Sequence, residues 1–86
     1  MKAEYKDIIE IINDYILSDE NKIKAEESPD TPLDEFKIDS VMIIKMLVLV
    51  EEKYDIEFEI EEMVPDNLNT IRKITDSVNK KLSTFL

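Results

Sequence analysis

The 86-residue sequence lacks cysteine, histidine and glycine altogether. Without cysteine and histidine, disulfides, zinc sites, thiol nucleophiles and serine–histidine dyads are excluded. Without glycine, and with only three prolines, the chain has few residues for sharp turns or hairpins, which favours helices. We therefore expect an all-α protein that is not an enzyme, with no catalytic residue and no metal site.

The charge balance is strongly acidic, with 21 Asp and Glu residues against 11 Lys and Arg residues and a net charge of −10. This charge repels nucleic acids and anionic membrane surfaces and steers encounters with basic protein surfaces, although solubility alone would also explain it. The chain begins with the charged stretch Met1 to Glu4 and has no apolar run of membrane-spanning length. We expect a cytoplasmic, monomeric protein without membrane insertion, forming a single domain over residues 1–86.

The spacing of apolar residues predicts the first and last helices. The first runs from about Ala3 to Ser18, and its apolar positions recur every three or four residues: Tyr5, Ile8, Ile12, Tyr15 and Ile16. The segment from Asp19 to Asp39 loses this period and contains two prolines, which predicts a long connection anchored by Leu33 and Phe36. Thr70 is the predicted N-cap of a last helix with the apolar positions Ile71, Ile74, Val78 and Leu82.

A second helix is predicted to start at Ser40, with Asp39 or Ser40 as its N-cap. One side of this helix is apolar and faces the core: Ile43, Met46, Leu47, Val50 and Tyr54. The opposite side mixes charged and large apolar residues, and we predict a partner surface there, formed by Val41, Met42, Lys45, Val48, Leu49 and Glu52. A helix buried on most of its sides would also explain these apolar residues.

The stretch from Asp55 to Glu61 alternates between apolar and acidic residues, as a β-strand does. No second strand-like run is present to pair with it. We therefore predict an extended link that places Ile56 and Phe58 in the core, followed by a short helix from Ile60 to Val64. The expected fold is a four-helix bundle with three main helices, a short third helix, and a long loop between the first two.

Ser40 follows this long loop and opens the helix with the unexplained apolar surface. A serine before a helix is most often a cap, and the tripeptide Asp39-Ser40-Val41 recurs as Asp76-Ser77-Val78 inside the last helix. With no base available, Ser40 is not an activated nucleophile. Its hydroxyl is instead a candidate for modification by another enzyme, because a helix N-terminus favours a phosphate ester.

The stretch from Phe36 to Phe58 resembles the acyl and peptidyl carrier proteins, in which a serine in an Asp-Ser-Leu-like motif opens the second helix of a four-helix bundle. The resemblance implies that Ser40 carries 4′-phosphopantetheine, transferred covalently from coenzyme A. It also implies that Asp39 assists the transferase, and that Glu51 and Glu52 occupy acidic positions of the recognition helix. The implied partners are a phosphopantetheinyl transferase and acyl- or aminoacyl-loading and condensing enzymes.

The sequence departs from the family pattern at four positions near the serine. Lys37 replaces a usual glycine, Val41 replaces the usual leucine, and Met42 and Lys45 stand where fatty-acid carriers commonly have acidic residues. These departures favour a stand-alone carrier of a polyketide or peptide pathway over one for housekeeping fatty acid synthesis. The alternative hypothesis is a small acidic helical adaptor that binds one protein partner through the second helix, with Ser40 only a helix cap.

Overall fold

The structure, a computed structural model, describes residues 2–17 and 22–83. Its three α-helices are α1 (Tyr5–Tyr15), α2 (Ser40–Tyr54) and α3 (Ile71–Ser83). Shorter 3-10 helices lie at Leu33–Phe36, Ile60–Glu62 and Pro65–Asn67, and the described residues contain no β-strand. The predicted all-α fold is confirmed. No helix in the described part of the chain combines the length and apolar character that crossing a membrane requires.

Helix α1 is shorter than the predicted span from Ala3 to Ser18. Its first turn begins after Glu4, whose backbone N–H donates to the Asp7 carboxylate at 2.9 Å. Ala3 lies before the helix and is buried, with its backbone N–H and carbonyl both bonded to the Asn79 side chain of α3. The predicted end at Ser18 and the first residues of the predicted connection, 19–21, lie outside the described residues.

The core forms where the three α-helices meet. Helix α2 contributes the five residues predicted for its apolar side: Ile43, Met46, Leu47, Val50 and Tyr54. Helix α1 contributes Ile8, Ile9, Ile11 and Ile12, and helix α3 contributes Ile71, Ile74, Thr75 and Val78. At α3, the Thr70 hydroxyl accepts a hydrogen bond from the Lys73 N–H at 3.1 Å, which confirms Thr70 as the cap.

The segment from residue 22 to residue 39 is anchored to the bundle at several points. Leu33 is buried, as predicted, and its N–H donates to the Asn69 carbonyl at 2.9 Å. The Arg72 guanidinium binds both carboxylate oxygens of Asp30, at 2.6 and 3.0 Å, and also donates to the Tyr5 hydroxyl. Phe36, the second predicted anchor, is half-buried against the core. The long connection is therefore tied to α3, and Arg72 in turn links α3 to α1.

Residues 56–59 form the predicted extended link, with Ile56 and Phe58 buried. The Glu51 carboxylate accepts a hydrogen bond from the Phe58 N–H at 2.8 Å, so α2 itself holds the link in place. The predicted helix from Ile60 to Val64 is shorter, a single 3-10 turn, and a second 3-10 turn follows it. A segment this short has too few internal hydrogen bonds to form a regular α-helix on its own.

Candidate functional site

Helix α2 is capped by Asp39 and not by Ser40. The Asp39 backbone is extended, with φ −89° and ψ 178°, and its carboxylate accepts a hydrogen bond from the Met42 N–H at 2.9 Å. Ser40 is the first helical residue. The interpretation of Ser40 as only a helix cap is therefore wrong, because the neighbouring carboxylate already binds the N–H group that a cap binds.

The Ser40 side chain is exposed at the positive end of the α2 dipole. Within the described residues, no hydrogen bond engages its hydroxyl. Ser77, in the repeated tripeptide, lies instead in the middle of α3 and is half-buried. The hydroxyl of Ser28 accepts a hydrogen bond from the Asp30 N–H in a turn. Ser40 thus differs from the other two in combining exposure with the start of a long helix.

A residue with a left-handed backbone conformation directs the chain into α2. Lys37 has φ 62° and ψ 30°, and it ends the 3-10 helix Leu33–Phe36 by donating its N–H to the Asp34 carbonyl at 3.0 Å. Ile38, the next residue, is buried. Glycine adopts this conformation at little cost, whereas lysine does so at some cost in free energy. This explains in physical terms why a glycine suits the position of Lys37.

A cleft of about 290 Å³ opens beside Ser40. Its lining comes from the preceding loop, the start of α2 and the segment before α3: Pro32, Leu33, Asp34, Ile38, Asp39, Ser40, Ile43, Asp66 and Asn69. Buried side chains of Leu33, Ile38 and Ile43 give it an apolar wall. The side chains of Asp34 and Asp66 are exposed and make its rim acidic.

Asn69, which the sequence did not single out, is among the residues that line this cleft. Its Oδ1 atom is buried and has no hydrogen-bond partner among the described residues. Nearly all buried polar atoms in proteins have such a partner, so an unpaired one calls for an explanation. In the sequence, Asn69 resembles an ordinary turn residue before the Thr70 cap, and no local pattern reveals its position beside Ser40.

Four of the six residues that we predicted for a partner surface on α2 are exposed, and two are half-buried. Val41 and Val48 are 70% and 47% exposed, and Lys45 and Glu52 are exposed as well. Met42 and Leu49, the two large apolar residues of the predicted surface, are instead half-buried against the core.

Ile44, which was not predicted to belong to this surface, is 44% exposed. Its spacing of three from Val41 and four to Val48 places it on their side of the helix, a signal that was available in the sequence. We refer to the exposed residues Val41, Ile44, Lys45, Val48 and Glu52 as the α2 face.

The α2 face continues onto the end of α1. A groove of about 500 Å³ lies between them, lined by Tyr15, Ile16, Val41, Ile44, Lys45, Val48 and Leu49. Tyr15, predicted for the buried stripe of the first helix, is 67% exposed here. A second groove of about 490 Å³ shares Tyr15 and Leu49, and adds the carboxylates of Glu10, Asp14 and Glu52. Lys53 lines this second groove as well, so three acidic side chains and one basic side chain border the apolar groove.

The acidic residues near Ser40 do not form a metal site. Across residues 2–17 and 22–83, no group of three or more Asp and Glu side chains is arranged to hold a metal ion. Glu51, one of the two predicted recognition-helix acids, is half-buried and bonded to the Phe58 N–H, whereas Glu52 is exposed. Of this pair, only Glu52 is exposed to solvent.

Comparisons with known proteins agree with this geometry. Residues 16–78 match the protein-family model described as "Phosphopantetheine attachment site". Over 49 residues the chain is 37% identical to an acyl carrier protein of Buchnera aphidicola subsp. Schizaphis graminum (strain Sg). These 49 residues are 57% of the chain and 60% of the length of that relative. No solved structure matches the chain. The family match spans Asp39, Ser40 and all of α2.

Proposed function

Since the chain belongs to the family of carrier proteins with a phosphopantetheine attachment site, we propose that Ser40 is its attachment residue. The family carries 4′-phosphopantetheine covalently and does not itself catalyse a reaction. The observation that supports Ser40 most directly is its exposed side chain at the start of α2, next to a cap that leaves the hydroxyl unused. Ser28 and Ser77, the other described serines within the matched residues, lie in a turn and inside α3.

The residues around Ser40 fit the group. The exposed hydroxyl would attack the pyrophosphate of coenzyme A: an O–P bond would form at Ser40, the P–O bond to adenosine 3′,5′-bisphosphate would break, and the hydroxyl proton would pass to a base of the transferase. The protein has no histidine, and the transferase must supply the base. One oxygen of Asp39 binds the Met42 N–H, and the other is left for a metal or a basic side chain of the transferase. Once attached, the group supplies a thiol that holds an acyl or aminoacyl group as a thioester.

The α2 face, with half-buried Met42 and Leu49 beside it, is the surface that we propose for the transferase and for loading and condensing enzymes. Its exposed apolar side chains form a shallow groove, which suits partners that bind and leave in turn. At Lys45 and the apolar residues around it, α2 lacks the acidic side chains that would attract the basic surface of a partner enzyme. This supports a carrier of polyketide or peptide assembly over one for housekeeping fatty acid synthesis.

Intact-mass measurement tests the attachment. The full chain is incubated with coenzyme A and a phosphopantetheinyl transferase, and we expect a mass gain of one phosphopantetheinyl group. Ser40→Ala should gain nothing, whereas the matched control Ser77→Ala should gain the same mass as the unsubstituted chain. Because Asp39 caps α2, Ser40→Ala should stay folded, which circular dichroism can check. No gain on the unsubstituted chain, or an undiminished gain on Ser40→Ala, would refute the proposal and favour an adaptor that binds one protein partner through α2, with Asp39 and not Ser40 as the cap.

A further inference from the structure

The middle of the α2 face carries opposite charges on either side of an apolar residue. Val41, Lys45, Val48 and Glu52 follow one another at spacings of four, three and four, which places them along one narrow strip of the helix surface. All four side chains are exposed, so the strip faces solvent. Among the described residues, neither Lys45 nor Glu52 forms an ion pair. The strip therefore has an unpaired positive charge before Val48 and an unpaired negative charge after it.

This order of charges is complementary to itself. In a two-fold symmetric pair of identical chains, the same surface of each copy meets the other in reverse order. If two α2 helices pack antiparallel about an axis beside Val48, Lys45 of each copy lies opposite Glu52 of the other. Parallel packing would instead bring Lys45 against Lys45 and Glu52 against Glu52, and like charges repel. Electrostatics therefore favours antiparallel over parallel pairing.

The apolar side chains of the α2 face provide the contact area for such a pair. Val41, Ile44 and Val48 are each at least 44% exposed, and the apolar groove of about 500 Å³ beside them offers space for side chains of a second copy. A contact made by one helix of 15 residues is small, and the net charge of −10 on each copy opposes association. The pair therefore forms only at high concentration, and at low concentration the protein remains the monomer expected from its sequence.

We infer that the α2 face binds a second copy of this chain, in a weak antiparallel dimer with two Lys45–Glu52 pairs. The dimer covers the surface that we propose for partner enzymes. A copy in the dimer and a copy docked on an enzyme therefore exclude each other. The association does not require a group at Ser40, so its failure would leave the proposed attachment untouched.

Sedimentation equilibrium of the unmodified full chain tests the dimer, over concentrations from about 10 μM to 1 mM, the range for a weak interface. We expect the mean mass to rise towards that of two chains. Lys45→Glu and Glu52→Lys should each weaken the association by about 5- to 30-fold, because two attractive pairs become repulsive. The double variant Lys45→Glu/Glu52→Lys should recover the association to within about 3-fold, since both pairs are restored with reversed polarity.

The two single variants separate this pairing from general repulsion between acidic chains. Lys45→Glu makes the chain more acidic and Glu52→Lys makes it less acidic, so net charge alone would give them opposite effects. The control is Lys80→Glu, because Lys80 is exposed on α3 and lines neither groove of the α2 face. It should change the association by less than about 3-fold. Circular dichroism checks that all variants stay folded.

Four results would overturn the inference. The first is a mean mass that stays at one chain throughout the concentration range in the unsubstituted protein. The others are tighter association of Glu52→Lys, a double variant as weak as the single ones, and a loss for Lys80→Glu equal to that for Lys45→Glu.

Discussion

The Asp39 carboxylate accepts the Met42 N–H at 2.9 Å, which makes the residue before Ser40 the cap of α2. Two neighbouring side chains therefore have separate roles. Asp39 stabilises the start of the helix, and Ser40 presents its hydroxyl to solvent.

Removing the cap should therefore destabilise the protein, and removing the serine should not. We expect Asp39→Ala to lower the free energy of unfolding by about 0.5–2 kcal/mol, because the Met42 N–H loses its acceptor. Ser40→Ala should change it by less than about 0.5 kcal/mol. Urea unfolding of the unmodified chains measures both, and a larger loss for Ser40→Ala would contradict the assignment of the cap.

Lys37 should tolerate replacement by glycine with a gain in stability. Its left-handed backbone costs a residue with a Cβ about 1–2 kcal/mol, partly offset by the greater freedom of glycine in the unfolded chain. We expect Lys37→Gly to raise the free energy of unfolding by up to about 1 kcal/mol. Glu35→Gly, within the 3-10 helix Leu33–Phe36, is the control and should lower it. Thermal or urea unfolding that shows equal losses for both would rule out the backbone explanation.

Glu51 and Glu52 are adjacent acids with different expected effects. Glu51→Ala leaves the buried end of the extended link without an acceptor for the Phe58 N–H, so we expect a loss of about 1–3 kcal/mol in unfolding free energy. Glu52→Ala should stay within about 0.5 kcal/mol, because Glu52 is exposed. Chemical denaturation of both variants decides this, and similar losses would show that the Glu51 contact contributes little.

Tyr54 should make the fold sensitive to alkaline pH. Its hydroxyl is buried, and burial together with the nearby Asp7 carboxylate raises the pKa of Tyr54 to about 12 from an ordinary value of 10.0. The unfolded chain therefore loses this proton first as the pH rises. The contribution of the neutral Tyr54 hydroxyl to the free energy of unfolding is complete below pH 10. It declines between about pH 10 and 12, by roughly 1–3 kcal/mol.

Tyr54→Phe isolates this contribution in unfolding measurements across the alkaline range. Without the hydroxyl, stability should decline less steeply above pH 10 than in the unsubstituted protein. At neutral pH the variant should be as stable or slightly more so, because a buried hydroxyl without a partner is removed. Tyr15→Phe, at an exposed position, should keep the full decline. Identical alkaline profiles for Tyr54→Phe and the unsubstituted chain would contradict the role of this hydroxyl.

Charge placed on the α2 face should impair docking without unfolding the protein. We expect Val41→Asp or Ile44→Asp to lower the kcat/KM of a phosphopantetheinyl transferase by about 5- to 30-fold, as loss of a central apolar contact does. Ile60→Asp is the control, since Ile60 is 86% exposed on a separate 3-10 helix. An equal loss for Ile60→Asp would exclude a specific role for the α2 face.

Two further comparisons identify the kind of contact. Met42→Asp should reduce modification more than Lys45→Glu, with part of its effect arising from lost stability because Met42 is half-buried. With an apolar interface, the rate should vary little with added salt. A steep loss of rate with salt would instead favour steering by the acidic border at Glu10, Asp14 and Glu52.

The sequence predicted the helical class and the buried side of α2 because charged residues mark the solvent side of a helix with a regular period. It predicted the extended link at Ile56 and Phe58 because no partner strand exists. It could not place Tyr15, since an amphipathic side chain at the right spacing can face either the core or a groove. Asn69 was missed because its position depends on the bond from Leu33, which is distant in sequence. Such tertiary contacts produce no periodic pattern in the local sequence.

The Arg72 side chain has a consequence for the order in which the protein folds. It joins Asp30 and Tyr5, which lie 42 and 67 positions away along the chain. Contacts between distant residues form only after the intervening chain has been brought together, at a cost in loop-closure entropy. We therefore expect the loop around Asp30 to reach its final shape after α3 has docked. A transferase that recognises this loop together with Ser40 would act on completely folded chains and pass over partly folded ones.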